Sequence, residues 1–85
     1  MSTEIHISSL VVHARPEGIK SIEVAIGALE GAEVHGVSEQ GKLVVTLETI
    51  NEGEMLTRIE AINRIAGVLS VALVFHQVEE PTESQ

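Results

Sequence analysis

Residues Gly67 to Glu80 read GVLSVALVFHQVEE, and the reading of this stretch decides what kind of sheet the chain builds. From Val68 to Phe75 every residue except Ser70 is apolar. A strand covered on one side alternates apolar with polar residues, so an unbroken apolar run calls for cover on both sides. The rest of the chain must supply one cover, and the question is what supplies the other.

Upstream, Ile5 to Val12 is apolar or β-prone and reads as a first strand. Pro16 suits the first turn of a helix, where its missing N–H costs nothing. Ile19, Ile22, Ile26 and Leu29 follow at helical spacing, and Gly31 stands where helices commonly end. Ala32 to Val37 and Lys42 to Glu48 read as a hairpin around the turn Ser38 to Gly41. A second helix is predicted from Glu52 to Ala66, capped by Thr49 or Asn51, with Met55, Ile59, Ile62 and Ala66 as its buried stripe. Gly67 ends it and the quoted strand follows.

The order is βαββαβ. Ile7, Val11, Ile26, Leu29 and Gly31 are echoed 36 positions later by Leu43, Leu47, Ile62, Ile65 and Gly67. Both features predict an α+β, ferredoxin-like sandwich: a four-stranded antiparallel sheet in the order 4-1-3-2, with two helices on one face. Residues 1–78 form the folded domain and 79–85 a flexible acidic tail.

Two helices cover one side of such a sheet. Strand parity puts Leu43, Val45 and Leu47 under the helices and leaves Val44, Thr46 and Glu48 on the open face. The internal echo places Ile7, Ser9 and Val11 inward, which leaves His6, Ser8, Leu10 and Val12 open. On the last strand Val71, Leu73 and Phe75 are expected inside, with Ala72, Val74 and His76 outside. The second strand shows Glu33, His35 and Val37. A slip of one residue exchanges the faces of any strand, and the first strand is the one most exposed to that ambiguity. The expected open face is apolar in its middle and edged by Glu33, Glu48, Glu79 and Glu80. A bare apolar patch on a monomer usually serves an interaction, here a peptide or a second copy in a weak homodimer.

Composition narrows the partners. Thirteen Glu, no Asp and five Lys or Arg give a formal charge of −8. Nucleic acid and anionic membrane surfaces are repelled, and a basic partner is attracted. Phe75 is the sole aromatic residue, so there is no platform for stacking bases. The absence of Cys excludes disulfides, thiolate catalysis and Cys-based metal sites. No stretch approaches the ~20 apolar residues of a membrane span, and the N-terminus lacks the basic residues of a secretory signal. A cytoplasmic location is expected.

No chemistry-bearing motif stands out. His6, Glu48 and His76 are placed at one rim of the open face, and two His with a carboxylate is a known ligand set. They lack the close sequence spacing of a metal motif, however, and strand-end polar residues ordinarily just meet water, so no metal site is assigned. His13 reads as a surface residue. No Ser sits on a nucleophile turn, and no phosphate loop or dinucleotide fingerprint occurs. An enzyme is not expected.

Four stretches in this order carry a family resemblance: ISSLVVHARPE at Ile7 to Glu17, GAEVHG at Gly31 to Gly36, GKLVVTLE at Gly41 to Glu48, and GVLSVALVFHQ at Gly67 to Gln77. Together they resemble the NapD family of assembly chaperones for the periplasmic nitrate reductase. The resemblance implies a cytoplasmic protein that binds the twin-arginine signal peptide of the reductase catalytic subunit. It would restrain export until molybdenum cofactor insertion is complete, holding no cofactor itself. Such a peptide is basic at its Arg pair and apolar after it. The surface expected to receive it comprises Ser8, Leu10, Val12, Glu33, His35, Val44, Thr46, Glu48, Ala72, Val74 and His76. The alternative is a small-molecule-binding regulatory domain acting as a dimer, a common use of this architecture.

Overall fold

The computed structural model describes residues 4–79. The elements are β1 (Ile5–Ala14), α1 (Ile19–Gly27), β2 (Ala32–Val37), β3 (Lys42–Thr49), α2 (Glu52–Asn63) and β4 (Val68–Glu79), with a 3₁₀ turn at Pro16–Gly18 leading into α1. The sheet runs β2-β3-β1-β4, which is the expected 4-1-3-2 order read from the other edge, and all neighbours are antiparallel. β4 continues through Glu79, so the chain is still paired where the acidic tail was expected to begin. The tail from residue 80 onward, including Glu80, lies outside the described residues.

Both helices form where their signals stand. Asn51 caps α2, its side-chain Oδ1 accepting from the Glu54 N–H at 2.7 Å. Thr49, the other candidate, is buried and donates its hydroxyl to the Asn51 carbonyl at 2.9 Å, which steadies the capping residue. α2 ends at Asn63, three residues earlier than expected, because the turn to Gly67 already begins there. Gly31 and Gly67 both take positive φ, at 83° and 96°, the backbone that lets each helix end turn into its strand.

Ile22 and Ile26 of α1, with Met55 and Ile62 of α2, pack on Leu43, Val45 and Leu47 of β3 and on Leu10, Val12 and Ala14 of β1. Arg58 ties α2 to the segment after α1, donating to the Glu30 carbonyl at 3.0 Å and lying 3.5 Å from its carboxylate.

The core corrects the expected faces of two strands, and on a third the bulge at His35 sets Val37 opposite buried Leu43, on the helix side rather than the open face. Leu10, Val12 and Ser8 are fully buried under the helices, and His6 is nearly so. Ile7, Ser9 and Val11 therefore lie on the open face, the reverse of the parity drawn from the internal echo. The cause is a change of offset: Ile26 follows Val12 by 14 positions, whereas Ile62 follows Leu47 by 15. The echo is true in the helices and one residue out in the strands, and one residue inverts a strand.

Phe75 and His76 are also exchanged. Leu10 pairs with Leu73 but Ser9 pairs with Phe75, so Val74 is an extra residue without a partner on β1. This β-bulge resets the alternation. Val71 and Leu73 keep the expected helix side, although Leu73 is 56% exposed there rather than buried, while Phe75 joins Ser9 on the open face and His76 joins Ser8 beneath it.

Candidate functional site

The open face is built from cross-strand rows whose members lie opposite one another. At one end Ile5 pairs with Glu79. Next, Ile7 lies between Gln77 and Glu48. Ser9 follows between Phe75 and Thr46, with Glu33 beyond Thr46. Val11 then lies between Ala72 and Val44, with Gly36 beyond Val44. Last, His13 lies between Ser70 and Lys42.

The middle of this surface is apolar and shallow. Val44 is 42% exposed and Phe75 54% exposed, while Val11 and Ile7 are half-buried between their neighbours. No described element packs over them. His35 bulges from β2, and its Nε2 lies 2.7 Å from Thr46 Oγ1, so both expected residues meet on the face. Glu33 is exposed beside them, and Gln77 donates from Nε2 to Glu79 Oε2 at 2.8 Å.

Of the residues expected to form the surface, Glu33, His35, Val44, Thr46, Glu48 and Ala72 lie there. Ser8, Leu10 and Val12 are core residues, and His76 lies on the helix-covered side. Val74 is exposed at the bulge. Sequence reasoning missed Ile7, Val11 and Phe75. The first two sit in a strand whose odd and even positions are equally apolar, and the bulge that turns Phe75 outward leaves no mark in the sequence.

His6 and His76 do meet, but beneath the sheet. His6 Nδ1 lies 3.5 Å from His76 Nε2, His76 Nδ1 lies 2.7 Å from Ser8 Oγ, and His6 Nε2 lies 3.3 Å from Glu4 Oε1. Glu48 is on the opposite face, so His6, Glu48 and His76 do not converge at one rim. Among the described residues no group of three His or Glu side chains is placed to hold a metal. Near this chain a cavity of about 160 Å³ opens between α2 and β4, with Met55, Leu56, Ile59 and Leu73 as apolar walls.

Among the described residues no helix is long and apolar enough to cross a membrane. The profile of the family described as NapD protein matches residues 5–80. Chaperone NapD of Escherichia coli K12 is 39% identical over 85 residues, covering 98% of this chain and 97% of that protein. Chaperone NapD of Haemophilus influenzae is 32% identical over 76 residues, covering 88% and 82% respectively. The solution structure of the E. coli Tat proofreading chaperone protein NapD superposes with a TM-score of 0.83 at 36% identity, over 100% of this chain and 90% of that one. A transcriptional regulatory protein of the AsnC family from Pyrococcus furiosus superposes with a TM-score of 0.66 at 22% identity, over 94% of this chain and 53% of that one, which shows a shared fold alone. A family match from β1 through β4, joined to relatives aligned along most of their length, means that this chain belongs to the NapD family, whose named relatives are chaperones rather than enzymes.

Proposed function

We propose that this chaperone binds the twin-arginine signal peptide of the periplasmic nitrate reductase catalytic subunit in the cytoplasm, and that binding restrains export until the molybdenum cofactor is in place. The observation that carries the reading is the uncovered apolar middle of the sheet, Val11, Val44 and Phe75, beside the carboxylates of Glu33 and Glu48. A segment with Arg at one end and apolar residues after it is complementary to that surface in both respects. Arg favours carboxylates because its planar guanidinium can donate two parallel hydrogen bonds. The E. coli relative's description as a Tat proofreading chaperone supports the same partner class.

The cavity beneath the sheet, at about 160 Å³, is smaller than the ~300–1,000 Å³ typical of small-molecule sites. That weighs against a small-molecule site within one copy; the regulatory-domain alternative, which acts as a dimer, is tested by light scattering of the peptide-free chain. Titration calorimetry of the chain with the signal peptide tests the proposal. Binding that survives both Val44→Asp and Glu48→Lys in folded protein removes this face as the site. Restraint of export is tested separately, by measuring periplasmic arrival of cofactor-free reductase with and without the chaperone.

A further inference from the structure

We infer that the open face holds its peptide in a single direction, with the cationic N-terminal end over Glu33, Glu48 and Glu79 and the apolar remainder running parallel to β1 toward His13 and Lys42. This rests on the peptide-binding reading and goes beyond it by assigning polarity. The cross-strand rows carry a graded sequence of chemistry. The Ile5 and Ile7 rows contribute Glu79, Gln77 and Glu48, and Glu33 edges the Ser9 row. The Val11 row holds only Ala72, Val44 and Gly36 beside it, side chains small enough to let a bound segment approach the sheet. The His13 row ends on exposed Lys42.

Arg58 on α2 and Arg64 just past its end stand beside Glu54 and Glu60, and among the face rows Lys42 is the formal cation. It stands six residues from Glu48 along β3, a separation of roughly 20 Å in an extended strand. An Arg pair at the Lys42 end would meet like charge, and an apolar segment at the other end would cover carboxylates that gain nothing from it. Both penalties act only in the reversed orientation, so the face discriminates direction by repulsion as well as attraction. The exposed Glu39 in the β2–β3 turn lies beyond the Lys42 end, outside the rows that contact a bound segment.

The test uses a synthetic peptide with two adjacent Arg near its N-terminus followed by a Leu- and Ala-rich stretch, spin-labelled at either end, and amide spectra of the full chain. The N-terminal label is expected to broaden Ile7, Glu48 and Gln77, and the C-terminal label to broaden His13, Lys42 and Ser70. The reversed pattern, or equal broadening of both ends by both labels, overturns the assigned direction while leaving peptide binding intact. Absence of any calorimetric binding overturns the peptide reading itself, and broadening confined to Leu56 and Leu73 removes the open face as the site and the assigned direction with it. The variant Glu33→Lys/Glu48→Lys/Lys42→Glu, altered only at exposed positions, should bind the same peptide about tenfold more weakly or with the labels exchanged. Unchanged affinity with unchanged polarity would also sink the assignment.

Discussion

The Ser8 hydroxyl and the His76 ring meet at 2.7 Å on the side of the sheet that the helices cover. With both rings neutral, Glu4 accepts from His6 Nε2–H, which leaves His6 Nδ1 to accept from His76 Nε2–H and His76 Nδ1 to accept from Ser8. A fully buried hydroxyl and a nearly buried imidazole are thereby satisfied in a region otherwise packed with aliphatic side chains. The open face is left free of both histidines, and its chemistry is that of Val11, Val44, Phe75 and the flanking carboxylates.

Ser8→Ala removes the hydroxyl and leaves His76 Nδ1 without its partner. A lost buried hydrogen bond of this kind should lower unfolding free energy by ~1 kcal/mol, measurable by urea titration. Peptide affinity should not change, because the hydroxyl faces away from the proposed surface.

Leu10→Asp and Val11→Asp are adjacent substitutions with opposite expected consequences. Leu10 is fully buried, so a carboxylate there leaves a charge without a partner in the core and should cost at least ~3 kcal/mol, seen as lost thermal stability by circular dichroism. Val11→Asp lies on the open face and should leave the protein folded while weakening peptide binding. If Val11→Asp unfolds the chain and Leu10→Asp does not, the strand's face assignment is wrong.

Phe75→Ala removes the one aromatic side chain, which is 54% exposed on the open face. Stability should shift by less than about 1 kcal/mol, as for most substitutions outside a core. Calorimetry should show a clear loss of peptide affinity, carried mainly by faster dissociation.

Asn51→Ala deletes the side-chain acceptor for the Glu54 N–H at the start of α2. Loss of such a cap typically costs ~1 kcal/mol, and the thermal midpoint should fall by several degrees. Glu48→Gln, by contrast, should leave the midpoint nearly unchanged and reduce the salt dependence of peptide association.

Much of the fold was legible in the residues themselves. The stripe Ile22 and Ile26, the Asn51 cap, the Gly-terminated helices and the alternation of Leu43, Val45 and Leu47 each carry a local signal with a local cause. Those signals fix the element order, and the sheet order follows from the architecture they imply. The face of β3, and with it Val44, Thr46 and Glu48, was readable for the same reason: from Lys42 to Glu48 only one parity is wholly apolar.

β1 offers no such contrast, since Leu10 and Val12 on one side match Ile7 and Val11 on the other. Its face was decided by register against β3, which sets Val12 opposite Leu43 and Leu10 opposite Val45. In β4 the bulge at Val74 separated Leu73 from Phe75, and nothing near that residue announces it. Local propensity thus determined the elements and the acidic, aliphatic character of the protein. Which side chains reach the open face was decided by pairing between strands distant in sequence, because a shift of one residue there costs no local preference but reverses every side chain that follows.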